Sequence, residues 1–224
     1  MVIEIYERFE NLDEEKKQAI INAGFKIFGE YGYSKASVED ITNEAGIAKG
    51  SLFYYFGSKK NFFLYLYKYS ADKMREVVDS PGRDGKPEYM EKTDFFERLD
   101  LIKEKKLKLS KLYPYLGDFI KRAPFEISEE IFKDLQLINQ RLLKEQSVNF
   151  FDNIDVYKFK EGVDPYMVFQ ILSWCSEGCA NQIRLKNMMY TENRQDQIDF
   201  NEVLSLYDRY AGMIRKHFYK EEYL

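Results

Sequence analysis

The feature that most constrains this chain is a pair of short helices separated by one glycine. Ser37 can open the first, its hydroxyl capping the first turn while Asp40, three residues on, answers from the other side. Val38, Ile41 and Ala45 then recur at helical spacing as a buried stripe. Gly46 stands where a left-handed residue closes a helix at little cost, and Ile47 can turn back into a core. A second helix is predicted almost at once, over 48–55. Two short helices joined by so tight a turn form the unit that lays its second helix in a DNA major groove. An earlier helix is predicted from about 11–14, where acids meet the positive helix end. Its inward stripe is Ile20, Gly24, Ile27, Phe28 and Tyr31, and Gly32 ends it.

Charge agrees with that reading. From 45 to 71 there is no acidic residue, while Lys49, Lys59, Lys60 and Lys68 supply positive charge, as a phosphate-facing surface requires. The formal net charge of −4 argues against a protein that coats nucleic acid or membrane with its whole surface, so any contact is local. In the second helix of the pair Leu52 and Phe56, four apart, are expected to point inward. Lys49, Ser51, Tyr54 and Tyr55 are left facing outward or to the sides, and Gly50 lets backbone approach the duplex. Lys49, Ser51 and Tyr54 are the candidates for base edges, and Lys60 is a candidate helper at the phosphates. An aromatic helix pair is more often plain core; the acid-free window weighs against that here.

The run Tyr31-Gly32-Tyr33, then Ser37-Val38-Glu39-Asp40-Ile41, Glu44-Ala45-Gly46-Ile47-Ala48-Lys49-Gly50 and Leu52-Phe53-Tyr54-Tyr55-Phe56 with Lys59 resembles the signature of the TetR family. The match covers about 12–64. The resemblance implies an all-α protein: an N-terminal three-helix helix-turn-helix domain for DNA over 1–57, then a larger helical ligand-binding and dimerisation domain over 58–224. It implies phosphate contacts at Ser37 and Lys59, with Tyr55 beside them. Three positions depart from the pattern. Ala48 stands where a capping Ser or Thr is common, at a cost of about 1 kcal/mol of helix stability. Phe53 replaces a common Tyr and Tyr55 a common His, so a phosphate contact at 53 is in doubt and Tyr55 can substitute for it.

Beyond the signature, Ser58 can cap a fourth helix to about 78, with Phe62, Phe63, Tyr65, Leu66 and Tyr69 as its stripe. Residues 79–87 read as an exposed loop, and helices recur near 94–111, 115–121 and 128–151. The basic run 103–111 has flanking acids and reads as a solvated face. Asp164 and Pro165 start another helix, in which Val168, Ile171, Cys175, Gly178, Gln182 and Leu185 follow a three-four spacing. The last helix repeats it with Leu204, Tyr207, Ala211, Ile214 and Phe218. Two long helices with a regular seam suit a four-helix dimer interface, two from each subunit. Val168, Cys175, Gly178, Gln182, Leu204, Tyr207, Ala211 and Ile214 are its expected members, and in TetR-like proteins the last two helices serve this role. Cys175 and Cys179 read as small packed residues or, in the alternative, as redox-sensing thiols; one turn apart, they have poor geometry for a disulfide.

With one His (His217) and two Cys, the chain offers no zinc constellation and no Ser/His/Asp or Cys/His set, and it has no glycine-rich phosphate loop. No metal, cofactor or enzymatic activity is expected. There is no run of eighteen apolar residues, and Met1, Val2, Ile3 and Glu4 do not begin a signal peptide, so a cytoplasmic protein without a membrane partner is expected. Aromatics make up 17% of the residues, a surplus that suits a pocket for a small, largely apolar or aromatic effector, though core packing alone would look the same. The expected function is a homodimeric repressor that binds palindromic double-stranded operator DNA and is released by that ligand. Two rivals stand beside it: a helical carrier or enzyme that kept the fold without DNA binding, and a DNA-binding dimer with no small ligand.

Overall fold

The computed structural model describes residues 3–144, 150–190 and 200–224. The elements are α1 (Ile3–Glu10), α2 (Glu14–Lys35), α3 (Val38–Glu44), α4 (Lys49–Phe56), α5 (Lys59–Val78), α6 (Phe95–Leu112), α7 (Leu116–Arg122), α8 (Glu129–Lys144), α9 (Pro165–Tyr190) and α10 (Phe200–Phe218), with single 3₁₀ turns between some of them. Among the described residues there is no strand, only two isolated bridges, Pro81 with Pro87 and Phe159 with Tyr219. The all-α expectation holds. None of the described helices is long and apolar enough to cross a membrane.

Local chemistry sets the boundaries. Asp13 caps α2 by accepting from the Lys16 N–H at 2.9 Å, and Ser58 caps α5 by accepting from the Asn61 N–H at 3.0 Å. α2 is broken at Gly32 (φ 74°, ψ 172°), in a region of backbone space that is essentially glycine's alone. The break is held from outside. The Tyr33 N–H donates to Glu126 Oε1 at 2.9 Å, and Arg122 donates to the Gly29 and Glu30 carbonyls at 3.2 and 2.6 Å. Tyr31, expected in the inward stripe of α2, is 44% exposed, because the chain has already begun to turn at Gly32.

Packing divides the chain into two compact units, Met1–Ser80 with Lys108–Ser147, and Pro81–Leu107 with Val148–Leu224. The core of the first is aromatic. Phe25, Phe28, Phe62, Phe63 and Phe119 are fully buried or nearly so, and successive rings meet at centroid distances of 5.0–6.5 Å, for example Phe28 with Phe63 and Phe63 with Phe119. Each such side chain is worth about 1.5–3 kcal/mol of burial, and each good ring pair about 0.5–1.5 kcal/mol more. The aromatic stripe of α5 is therefore part of this core, with Phe62, Phe63 and Leu66 buried within it.

The second unit is centred on Phe95, Phe96, Phe159, Val168, Leu172, Ile214 and Tyr219, with Cys179, Ile183 and Val203 continuing the contact between α9 and α10. Arg98 is completely buried here; it donates to the Lys92, Phe150 and Asp152 carbonyls and so ties the loop before α6 to the one before α9. Asp94 caps α6 through the Phe96 and Glu97 N–H groups and also accepts from Lys158 at 3.0 Å. Burial pushes its carboxyl up, but the Lys158 and Glu97 hydrogen bonds outweigh that and hold it below the ordinary range.

Candidate nucleic-acid interface

α3 and α4 are built as the residue pattern requires. Ser37 caps α3: its hydroxyl accepts from the Asp40 N–H at 3.0 Å and donates to Asp40 Oδ2 at 2.6 Å. At the other end Gly46 (φ 65°) takes the left-handed position, its N–H bonds the Asn43 carbonyl and the Ile47 N–H reaches the Thr42 carbonyl. That pair of bonds is a Schellman closure, and Ile47 packs back on the first unit's core as expected. α4 follows at once. Ala48 provides no side-chain cap, and the Ser51 N–H instead bonds the Ala48 carbonyl at 2.8 Å.

Leu52 and Phe56 are fully buried and fix α4 on its neighbours. Outward stand Lys49 and Gly50, with Phe53 and Tyr54 exposed and Ser51 half-buried. A Cβ added at Gly50 would meet nothing within 4 Å, which leaves its backbone open to approach. Tyr54 is 59% exposed, the most exposed aromatic ring of the helix pair. Tyr55 does not face outward: its ring is buried against Phe9, Tyr54 and Phe56 at 6.1, 5.6 and 6.5 Å. The cause is α1, for which the sequence raised no expectation. Phe9 has no exposed surface and inserts among Tyr55, Phe56 and Tyr65. The available signal was the i, i+4, i+7 spacing of Ile5, Phe9 and Leu12. α1 also brings Arg8 over the Tyr54 ring, 4.4 Å from its centroid.

The other cations are placed less simply than charge counting suggests. Lys59 donates to the Tyr33 and Ala36 carbonyls at 3.0 and 3.1 Å and lies over the Tyr33 ring, so it pins the junction between α2 and α3. Lys60 is turned to Asp134 on α8 at 2.7 Å, which makes it an internal brace rather than a free phosphate donor. The acid-free window is acid-free in sequence only, because α3 brings Glu39 within 4.0 Å of the Lys49 ammonium. Ser37 has its hydroxyl engaged in both directions by Asp40.

The expected dimer residues divide in the same way. Val168 and Ile214 are buried within the chain, in the core where α9 meets α10. Cys175, Tyr207 and Ala211 are half-buried against that same core, Leu204 is half-buried, and Gly178 and Gln182 are exposed. The large apolar side chains left outward on α9 include Tyr166, Met167, Trp174, Leu185 and Met189, with Tyr210 and Met213 on α10. On α9 the seam read from sequence is thus split: Val168, Ile171 and Cys175 lie in or against the core shared with α10, while Gly178, Gln182 and Leu185 are exposed. Cys179 is buried beside Ile183 and Val203, and burial, then Cys175, push its thiol up, which favours packing over thiolate chemistry.

Comparison with known proteins places the chain. A family model described as bacterial regulatory proteins, tetR family, matches residues 20–66, the stretch from α2 into α5 that contains the helix pair. The biofilm operon icaADBC negative transcriptional regulator IcaR of Staphylococcus aureus is 26% identical over 166 residues, 74% of this chain and 86% of IcaR. Two solved structures share the fold: the ketosteroid regulator KstR2 of Mycobacterium tuberculosis (16% identity, TM-score 0.55, 94% of this chain and 98% of that one) and FadR of Bacillus subtilis in complex with stearoyl-CoA (20%, 0.51, 88% and 96%). These proteins are regulators, not enzymes. With the helix pair of the tetR family matched over residues 20–66 and a negative transcriptional regulator aligned along most of its length, the chain is similar to TetR-family transcriptional regulators.

Proposed function

We propose that this regulator is a cytoplasmic repressor that binds a palindromic operator as a homodimer and is released when a small, largely apolar ligand binds. Residues 1–57 would serve DNA, and 58–224 dimerisation and ligand. The observation that carries the reading is α4: an uncapped helix start beside Lys49, Gly50, Ser51 and Tyr54, all on a surface that α3 and the buried Leu52 and Phe56 hold in place. Lysine can donate to guanine, and a tyrosine ring can touch a thymine methyl. The exposed apolar face of α9 and α10 supports the dimer, since patches of this kind on a folded chain mark protein contacts. IcaR, named a negative regulator, supports repression, and the stearoyl-CoA complex of FadR supports an apolar ligand. Ligand release then follows if the ligand favours a dimer arrangement that no longer fits successive major grooves, a population shift.

Selection of bound DNA from a random pool tests this. The expected result is a site of two inverted halves whose centres lie one helical turn, roughly 34–36 Å, or a multiple apart. Tyr54→Ala should relax base preference in each half, and Lys49→Ala should weaken binding and reduce its salt dependence. Unselective binding, or a site without two-fold symmetry, would overturn the reading.

A further inference from the structure

We propose that Arg8 is a specificity-determining positioning residue: stacked on Tyr54, its guanidinium fixes the ring that reads the operator. This rests on the reading of α4 as the recognition helix and goes beyond it, because Arg8 lies in a helix outside the matched signature. Two neighbours meet the Tyr54 ring. Arg8 Cζ is 4.4 Å from the Tyr54 centroid, and Tyr55 meets the same ring edge-on at 5.6 Å and 68°. An exposed tyrosine without neighbours would sample several rotamers. With a planar cation against it and a buried ring beside it, Tyr54 is held near one of them before DNA arrives.

Arg8 is itself held in place. One residue on, Phe9 is buried among Tyr55, Phe56 and Tyr65, and Glu10 accepts from the Tyr65 hydroxyl at 2.8 Å. Tyr6 packs on Phe56 and Tyr65 and donates to the Asn61 carbonyl at 3.5 Å, while Asn61 donates to the Phe56 carbonyl at 2.9 Å. α1 is therefore locked onto α4 and the start of α5, and the Arg8–Tyr54 stack inherits that rigidity. No ion pair to Arg8 is found among the described residues, and its guanidinium lies over the Tyr54 ring. Arginine stacks by its plane and keeps its N–H donors along the edges; lysine keeps the charge and loses the plane.

The test compares the wild type with Arg8→Ala, Arg8→Lys, Tyr54→Ala and the Arg8→Ala/Tyr54→Ala double variant. The probes are the selected operator and its single-base variants, at two salt concentrations, with thermal melting of each protein. Removing the stack should reduce discrimination about two- to fivefold, and only at the base pair where Tyr54→Ala reduces it. The double variant should match Tyr54→Ala alone, and Arg8→Lys should lose discrimination while the salt slope stays unchanged. If Arg8→Ala weakens all sequences alike with a shallower salt slope, Arg8 is a phosphate contact and the proposal is overturned. Additive effects of the two single variants, or no change in base preference, overturn it as well. If Tyr54→Ala itself leaves discrimination intact, the reading of α4 has failed, an outcome distinct from failure at Arg8 alone. Should Arg8→Ala melt early and lose binding, the melting-matched Arg8→Lys carries the same comparison.

Discussion

The outer faces of α4 and of α9 are both left unfilled by the protein's own core, yet they are chemically opposite. α4 offers an ammonium, a hydroxyl, an uncapped helix start and two exposed rings, Phe53 and Tyr54. α9 offers Met167, Trp174, Leu185 and Met189, with Trp174 65% and Met189 75% exposed. The first suits a hydrated polyanion, where contacts are polar and charge-assisted; the second suits another protein surface, where burial of large apolar side chains drives association. The contrast teaches that exposure alone does not define a site. The type of side chain left exposed defines the partner.

The largest expected effect is at Trp174. If α9 carries the dimer, Trp174→Asp places an unpaired charge in both halves of a symmetric contact and should cost about 4 kcal/mol or more, roughly a thousandfold in dimerisation. Because Trp174 adds little to the protomer core, melting of the isolated protomer should barely change. Val168→Ala should do the reverse, lowering stability by on the order of 2 kcal/mol while dimerisation persists. Sedimentation and thermal melting of the two variants decide it; a Trp174→Asp protein that remains dimeric at micromolar concentration would move the interface elsewhere.

Acid should strike the unit that carries α9 through Asp94, whose carboxylate caps α6 and pairs with Lys158. Its folded carboxyl lies below the ordinary value of about 3.9, so its contribution is present above that pH and is lost as pH falls through the lower folded value. Asp94→Asn should destabilise by about 1–3 kcal/mol at neutral pH, since Lys158 keeps Asp155 at 2.9 Å as a second partner. The gap from wild type should close below about pH 4. Chemical denaturation across pH checks it, and a gap that persists in acid would assign the effect to shape rather than charge.

Why the helix pair was legible from sequence while the outward face of α9 was not follows from range. Ser37, Gly46 and Ser58 act on backbone groups within a few residues, so their roles are written locally. Leu52 and Phe56 were also readable, because a short helix against a single core has one apolar side. α9 has two, one for α10 and one left outward, and a three-four spacing fits both. Val168 and Ile214 belong to the first. The packing of Tyr55 and the pairing of Lys60 were hidden for a related reason: the groups that cover or pair with them, Phe9 and Asp134, lie far away in sequence. Of the aromatic stripe expected on α5, Phe62 and Phe63 lie in the core.

Gly50 separates the demands of folding from those of DNA on the α4 face. A Cβ there has open space in the free protein, so Gly50→Ala should raise stability by about 0.5–1 kcal/mol through better helix propensity. If backbone approach to the duplex matters, operator affinity should fall in the same variant. Melting and binding measured together read the two effects, and unchanged affinity would remove Gly50 from the interface.

The smallest expected effect concerns Glu39, the acid that α3 places 4.0 Å from the Lys49 ammonium. Both groups are exposed, at 72% and 61%, so solvent screens their attraction and the pair adds little to stability. Near a duplex the balance changes: the carboxylate stands beside the phosphates that Lys49 would meet, and it holds back part of the charge that would release counterions. Glu39→Gln should therefore leave melting unchanged and strengthen binding a few-fold at low salt, with the gain shrinking as ionic strength rises. It should do so for selected and unrelated DNA alike, because a phosphate-facing charge carries no sequence information. Binding isotherms for both DNAs at two salt concentrations resolve this. A gain confined to the selected operator would instead place Glu39 at a base edge, and α3 would then share in reading the sequence.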